Sequence, residues 1–589
     1  MGGLFFLLAF LQVQPTPSPR AAIDRALPIL QRSATEFVSQ RSCFSCHHNA
    51  LPVLTLNMAR DRGFEINTAA LARIEDKTFA PLRDPDALDK TVQAELLIDP
   101  ATNDSLLLMA AASARINRSL TTAVRASQLL AWQVDGHWAT SDFRPPHSSS
   151  LFTSTATTIR AIHFFAPTEL RTQADRALAK AREWLRKTKP TSTEDAAFRL
   201  LGMVWAGAPA GDIAAGKKDL LAMRSSDGGW PQLDGYASDA YSTGESLFAL
   251  REAGMSETDE AWQRGAQFLL KTQAPDGTWH VHTRMVSPAT VSPPYFSTGF
   301  PYGKDEFLSY AGTSWAVMAL LRSFPDPAPT VLRESPDPEP WMRTALFGTV
   351  TQLTALLDNG LSANAKTANG TSLLMMAAPD AQKVKLLLSR GVDVKARGSS
   401  GNDALTIAAA YRGTAVSLRT LIDAHAEVSP PEEAHVRRPP LVFAAMTGDL
   451  ENAKLLLKSG ADPSDGSPLA EAITFGHADV VRALIQAGAD TGLTESSGVN
   501  LLHWATITGR PSVIPLLAKA GVPLNDKDKA GFTPLMYAAT IDFGTSAVLN
   551  ALVTAGADPF IVTPDGRNAF EQAERFQHSK VKVKANAKR

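Results

Sequence analysis

The only two cysteines of this 589-residue chain lie together. They form the run Cys43-Phe44-Ser45-Cys46-His47, and a second histidine follows at His48. Two thiols at this spacing can add to the vinyl groups of haem, and the histidine directly behind them can bind the iron. The spacing therefore predicts covalent haem c on Cys43 and Cys46, with His47 as an axial ligand.

The same residues also allow other chemistry. Cys43 and Cys46 can form a disulfide or a redox pair. Together with His47 and His48 they can also supply four ligands to zinc. If haem is bound, the sixth iron ligand is not specified by the motif, and the candidates are His48 and Met58.

Composition and the first residues indicate where the chain acts. The 58 basic residues balance 59 acidic ones, so no overall basic field favours nucleic acid. An apolar run from Leu4 to Leu11 is too short to span a bilayer but fits the core of a signal peptide. We predict a signal peptide at 1–20, a periplasmic or extracellular location, and no transmembrane segment.

The elements that must position the cysteines belong to a repeat of helix, polar turn and helix over 21–325. Three copies lie at 126–138, 219–230 and 264–279. Each combines an amphipathic helix, a turn in which glycine can adopt positive φ, and a tryptophan that can pack over the helix ends. This half is therefore predicted to be all-α.

These segments resemble the QW repeats of the squalene–hopene and oxidosqualene cyclases. Gln273 through Trp279 matches the Q-x-x-D-G-x-W core of those repeats. The resemblance implies an α/α-toroid, in which inner helices surround a cavity able to take a small apolar or anionic ligand. The cysteine motif occupies the turn of the first repeat, where the inner helices begin.

Catalysis does not follow from this resemblance. The cyclases protonate their substrate with a D-x-D-D-T-A motif, and the corresponding stretch at 238–244 retains only Asp239 and Thr243. Asp239 and Tyr241 are the candidate catalytic residues, but the companion carboxylates of the motif are missing, so enzyme status stays open. Equivalent turns should bring further polar residues to the same end of the toroid, namely Arg144, His147, Lys304, Asp305 and Tyr310.

A second repeat follows a proline-rich linker at 326–340. Gly-Ala-Asp recurs at 460–462, 488–490 and 556–558, and Gly531 to Ala539 reads GFTPLMYAA. These segments resemble ankyrin repeats, of which we count about seven over 341–575. The resemblance implies a solenoid that binds a protein partner. A basic tail at 576–589 ends the chain.

Three functions are consistent with these features. The first is an exported interaction protein that carries haem c in a redox or ligand-sensing role. The second is a terpenoid cyclase-type enzyme with a degenerate acidic motif. The third is a protein-binding scaffold in which Cys43 and Cys46 form a disulfide. The fold predicted for all three is all-α, with an α/α-toroid followed by an ankyrin-repeat solenoid.

Overall fold

A computed structural model describes residues 18–41, 46–95, 99–142, 144–147, 149–284, 297–429 and 438–575, without the side chains of residues 46 and 47. Residues 1–17 of the expected signal peptide, Cys43 and the basic tail lie outside the described residues. The described part is mainly helical, which confirms the all-α prediction. No helix within these ranges is both long enough and apolar enough to cross a membrane.

The first thirteen helices form a unit that we call the ring (residues 19–321). Its helices are α1 Pro19–Gln40, α2 Leu51–Arg60, α3 Thr68–Arg83, α4 Ala87–Val92, α5 Ser105–Ser113, α6 Leu120–Ala131, α7 Leu151–Phe165, α8 Arg171–Lys187, α9 Thr193–Trp205, α10 Ala210–Ala222, α11 Ala240–Glu252, α12 Glu260–Thr272 and α13 Glu306–Leu321. Short π-helical turns span Cys46–Ala50 and Pro100–Asp104, and 3-10 turns span Thr168–Leu170 and Gly303–Asp305. Strands β1 Trp230–Pro231 and β2 Ser238–Asp239 pair antiparallel.

The ring closes on itself through six inner helices. Each packs against the next in the order α2, α5, α7, α9, α11 and α13, and α13 returns to α2. The remaining helices lie outside, and α1 packs against both α2 and α13. The inner helices carry small and apolar residues on nearly every side because neighbours surround them, and α13 is buried along almost its whole length.

The Asp-Gly-x-Trp turns fasten outer helices to inner ones in the same way in successive repeats. The Trp279 indole donates a hydrogen bond of 2.8 Å to the Leu269 carbonyl of α12, and its backbone N–H donates to Thr313 Oγ1 of α13 over 3.1 Å. Trp230 makes the equivalent bonds to Leu220 and Thr243. These buried tryptophans therefore satisfy a carbonyl at the end of an outer helix and fix the start of an inner one.

Glycine in these turns allows one repeat to contact the next. Gly277 has φ +89°, and a Cβ there would lie 2.4 Å from the backbone oxygen of Arg25 in α1. The last turn of the ring thus packs directly on its first helix. Only glycine meets both requirements, because its backbone accepts positive φ and no side chain blocks the approach.

Aromatic side chains fill part of the interior where the cyclase resemblance implies a cavity. Trp315 of α13 lies 5.9 Å from Phe198 of α9 and 5.7 Å from Phe248 of α11, measured between ring centroids. A cavity of about 750 Å³ lies beside the end of α7, where His163 and Arg118 line it together with linker residues. A ligand in the ring interior therefore stays a prediction.

The second unit, which we call the array (residues 340–575), consists of helix pairs stacked side by side. Its helices are α14 Pro340–Phe347, α15 Val350–Asp358, α16 Leu373–Ala377, α17 Ala381–Ser389, α18 Ala404–Ala409, α19 Ala415–Asp423, α20 Pro440–Thr447, α21 Leu450–Lys458, α22 Pro468–Phe475, α23 Ala478–Gln486, α24 Leu501–Ile507, α25 Ile514–Lys519, α26 Pro534–Thr540, α27 Ala547–Ala555 and α28 Ala569–Arg575. First helices pack on first helices along the stack, and second helices on second helices.

The linker between the two units runs along the ring. The backbone N–H of Arg118 donates to the Arg333 carbonyl over 2.8 Å, and the N–H of Ser335 donates to the Arg118 carbonyl over 2.7 Å. Arg62 binds Asp326 with an ion pair of 2.6 Å. These contacts fix the point from which the array begins.

Candidate functional site

The cysteine motif leads directly into an inner helix. Cys46–Ala50 forms a π-helical turn that continues as α2, so Cys46 and His47 lie at the end of the ring where inner helices start. We call this end the rim; it comprises the residues before α2, α5, α7, α11 and α13. Met58 lies eleven residues beyond His47 on the continuing helix, about 16 Å along its axis. That separation disfavours Met58 as the sixth ligand of a haem bound by His47.

His48 lies within a stack of three rings behind the motif. Its imidazole lies 4.9 Å from the Phe37 ring and 4.3 Å from the Tyr310 ring, with interplanar angles of 12° and 16°. Burial, with a smaller contribution from His147, lowers its pKa to about 3. A neutral imidazole stacked between two rings packs the motif against α1 and α13.

A chain of buried polar groups lies at the start of α11. The Tyr241 hydroxyl is 3.1 Å from His147 Nδ1 and donates to Glu194 Oε2 over 3.4 Å. Thr153 donates to the other Glu194 oxygen over 2.5 Å. Glu245, one turn beyond Tyr241, is fully buried. We call these residues, His147, Glu194, Tyr241 and Glu245, the acid cluster.

Burial determines the protonation of the acid cluster. It raises the pKa of Glu194 to about 8 and that of Glu245 well above its usual range. It lowers the pKa of His147 to about 4. At neutral pH the carboxyls therefore hold protons and the histidine is neutral. The same burial that raises these pKa values separates the cluster from solvent.

Asp239 has a structural role at this location. Its Oδ1 accepts the Ser242 N–H over 2.9 Å and caps α11. Burial raises its pKa to about 6. Glu194 and Glu245 supply nearby carboxyls that the D-x-D-D-T-A comparison did not reveal, because Glu194 comes from a different helix and Glu245 lies just beyond the compared stretch at 238–244.

The other residues that the sequence predicted at the rim make separate contacts and do not share one site. Tyr310 belongs to the His48 stack, and Asp305 binds His280 and His282 in the turn before α13. Lys304 is exposed next to Asp305. Arg144 contributes to the electrostatic environment of His147. The structure therefore brings His147 and Tyr241 together but does not assemble all of these residues into one site.

The array contacts the ring first at the end of α4. Asp89 accepts hydrogen bonds from Thr367 Oγ1 over 2.6 Å and from Asn369 Nδ2 over 2.8 Å. Gln93 donates to Thr371 Oγ1 over 2.7 Å. All three partners lie in the turn that precedes α16, so a hairpin tip of the array is already occupied by the ring.

Further contacts follow the ends of the first helices of the array. The Trp132 indole donates to the Ala410 carbonyl over 2.9 Å. Arg510 donates to the Thr140 carbonyl on the rim. At Asp542, the side chain accepts the Tyr236 hydroxyl over 2.9 Å and the carbonyl accepts Arg284 over 2.6 Å. The array thus lies against the rim.

Comparison with known proteins assigns the second unit. A family model described as ankyrin repeats matches residues 418–495 and 469–563. The ankyrin repeat protein YahD of Escherichia coli K12 is 27% identical over 197 residues, which are 31% of this chain and 95% of YahD. Palmitoyltransferase AKR1 of Lachancea kluyveri is 27% identical over 173 residues, covering 22% of this chain and 23% of the enzyme.

Two further similar proteins also cover a limited part of this chain. Mask-1 of Caenorhabditis elegans, an ankyrin repeat and KH domain protein, is 27% identical over 33% of this chain and 7% of its own length. The chain thus spans less than a quarter of AKR1 and of mask-1. The ankyrin domain of human ASB11 aligns with 38% of this chain at 25% identity and a TM-score of 0.34. The likeness of the ring to the cyclases stays a prediction, whereas residues 418–563 of the array are ankyrin repeats.

Proposed function

We propose that this chain is a protein-binding scaffold in which the ring holds the array and the far end of the array binds a partner. The observation that carries the proposal is the exposed apolar turn before α28. Phe560 is 59% exposed and Val562 is 43% exposed, although both are large apolar residues. Ankyrin solenoids use their turns and concave side for recognition, and two exposed apolar side chains close together in sequence on one such turn suit contact with a protein partner.

The ring already binds turns in the earlier part of the array, which supports the C-terminal end of the array as the partner site. The turn at 367–371 is bound to Asp89 and Gln93, and the contacts of the ring continue to Asp542. The turn that holds Phe560 comes after these contacts. A partner can therefore bind there without displacing the ring.

Affinity capture followed by direct titration tests this proposal. We expect the double variant Phe560→Ser/Val562→Ser to bind the partner at least tenfold more weakly, because apolar contacts at the centre of an interface contribute most of its affinity. Val416→Ser is the matched control, since Val416 is 57% exposed on α19. Equal binding of the partner by the double variant and the wild-type protein, measured with purified components, contradicts the proposal.

We also propose that the scaffold is exported and carries haem c on Cys43 and Cys46, with His47 as axial ligand. The support is the spacing of the motif, in which His47 directly follows Cys46, and the backbone of both residues belongs to the π-helical turn before α2. The donor set of two thiols and an imidazole suits this group. Bound haem would supply one-electron chemistry or an iron that binds small ligands.

An absorption spectrum tests the haem proposal. The protein is made in a host that attaches haem c, and Cys43→Ala/Cys46→Ala is the control. We expect a Soret band that survives acid and organic extraction in the wild-type protein and is absent from the double variant. An exported and intact protein without this band contradicts haem attachment. Cys43 and Cys46 would then be tested for a disulfide.

A further inference from the structure

Two histidines and an aspartate meet at the rim, apart from the cysteine motif and the acid cluster. His280 and His282 follow Trp279 in the segment after α12, and Asp305 directly precedes α13. His280 Nε2 lies 3.0 Å from Asp305 Oδ2, and His282 Nδ1 lies 3.1 Å from the same oxygen. One nitrogen or oxygen from each side chain lies within 4.8 Å of the others.

The surrounding structure fixes the orientation of these groups. The Thr283 N–H donates to Asp305 Oδ1 over 3.0 Å, which leaves Oδ2 directed at the two imidazoles. The His280 ring stacks on the Tyr302 ring at 4.4 Å with an interplanar angle of 6°. Such contacts around ligand side chains are what hold a metal site in shape.

The backbone at His282 is fixed as well. Gln232 Nε2 donates to the His282 carbonyl over 3.1 Å, and Gln232 Oε1 accepts from Arg284 Nε over 2.8 Å. The loop is thus tied to the segment before α11 on both sides of Thr283. The position of His282 follows from this framework, although its side chain is 82% exposed.

The separations fit coordination of a small divalent cation. With bonds of about 2.0 to 2.1 Å in a tetrahedral site, neighbouring ligand atoms lie about 3.3 Å apart. Each imidazole nitrogen is close to that distance from Asp305 Oδ2. Hydrogen bonds between a carboxylate and exposed imidazoles contribute little stability of their own, so they do not explain why two histidines converge here.

We propose that His280, His282 and Asp305 bind one divalent transition-metal ion, with Zn²⁺ as the best match. Two imidazoles and one carboxylate form the three-ligand set typical of zinc sites that keep a fourth position for water or another ligand. The exposure of His282 leaves that fourth position accessible. The site is independent of the partner surface at Phe560.

Calorimetric titration of the full-length chain with ZnCl₂ after chelator treatment tests the proposal. Cys43→Ser/Cys46→Ser serves as the parent protein, since the cysteine motif can itself bind zinc. We expect one Zn²⁺ per chain in this parent. His282→Ala should weaken Zn²⁺ binding at least about a hundredfold. Removing only a residue that hydrogen-bonds to a metal ligand already lowers metal affinity about 10- to 100-fold, and His282 is itself a proposed ligand.

His163→Ala is the matched control, since His163 is an exposed histidine on α7, outside the rim. It should bind Zn²⁺ as the parent does. The exposure of His282 means that His282→Ala should melt at the parent temperature when no metal is present, which separates loss of binding from loss of folding. No zinc binding by the parent, or unchanged affinity in His282→Ala, overturns the proposal.

Discussion

The Asn402 side-chain amide of the array donates a hydrogen bond of 2.7 Å to the Gln93 carbonyl oxygen of the ring. The Gln93 side chain also accepts the Ser400 N–H over 2.9 Å and donates to Thr371 over 2.7 Å. Gln93 is fully buried, so water does not compete for these bonds. One ring residue thus joins two successive turns of the array.

Replacing Gln93 by leucine should weaken the docking of the array. The substitution leaves the Thr371 hydroxyl and the Ser400 N–H without this partner inside the interface, at a cost of about 1–3 kcal/mol for each buried group left unpaired. We expect urea unfolding to change from one transition to two, as the array loses the support of the ring. Gln486→Ala, at an exposed position of α23, is the control. A single transition at the wild-type midpoint argues against this role for Gln93.

Gly277→Ala should destabilise the closed ring. The new Cβ would meet the Arg25 carbonyl oxygen at 2.4 Å, and a backbone atom cannot move aside as a side chain can. Gly254→Ala is the control, since Gly254 has a similar φ of +81° but no atom within 4 Å of the added Cβ. Both variants carry the cost of positive φ, about 1–2 kcal/mol. We expect Gly277→Ala to lose about 1–3 kcal/mol more in chemical denaturation; equal losses contradict the contact.

The acid cluster should make the protein less stable as pH rises from 6.5 to 8. The pKa of Glu194 is raised from 4.5 to about 8, so in this range the folded state retains a proton that the unfolded chain has released. Stability then falls by up to about 1.4 kcal/mol per pH unit for one such group. Glu245 interacts with Glu194 and also has a raised pKa, so it adds to this loss of stability with rising pH. The positive charge of Arg284 lowers both pKa values and reduces the effect.

Glu194→Gln should reduce this slope, measured as the free energy of unfolding in urea at pH 6.5 and pH 8. The buried histidines His48 and His147 also contribute to the slope, because the unfolded chain still binds protons on them near pH 6.5, but they do so equally in wild type and variant, so the difference in slope reports Glu194. Glu257→Gln, at an exposed position of the ring, should leave the slope unchanged. The same slope in Glu194→Gln and wild type means that Glu194 is ionised in the folded protein.

His48→Phe should make the protein more resistant to acid. The pKa of His48 is about 3 in the folded protein against 6.5 for an ordinary histidine, so the unfolded chain takes up a proton first as pH falls below 6.5. The free energy of unfolding therefore decreases as pH falls from 6.5 towards 3. Phenylalanine can keep the ring stack with Phe37 and Tyr310, but it has no group that binds a proton. Unfolding measured at pH 6.5 and pH 5 should show a smaller loss in the variant; an equal or larger loss contradicts the neutral stacked histidine.

Local sequence patterns predicted the parts of the fold that depend on nearby residues. The turn at Asp276-Gly277-Thr278-Trp279 predicted a tryptophan packed on the helix ends, and Trp279 does bind the last turn of its own outer helix. The ankyrin-like segment from Gly531 to Ala539 contains the start of a helix in the structure, where Thr533 caps α26 and Pro534 lies in its first turn. Capping and turn formation involve neighbours in sequence, so their signals are local.

The two carboxyls of the acid cluster and the docking of the array were not predicted, although His147 and Tyr241 were expected at the same end of the ring. Glu194 and Glu245 lie on different helices and meet only because the ring brings α9 beside α11. The bonds of Gln93 reach residues about 300 positions away and leave no periodic pattern. One signal was visible: Glu245 is a charged residue in the middle of inner helix α11, whose other charged residues, Arg251 and Glu252, lie at its end, and a charge in the buried part of a helix is unusual unless it has a partner.

The pairing of α1 with α13 sets an order for assembly during synthesis. About 265 residues separate the end of α1 from the start of α13, so α1 cannot complete its packing until nearly all of the ring has been made. Contacts of such long range form slowly, since a large loop must be closed first. The ring therefore closes late, and until α13 is in place the faces of α1 and α2 that pack against it stay open.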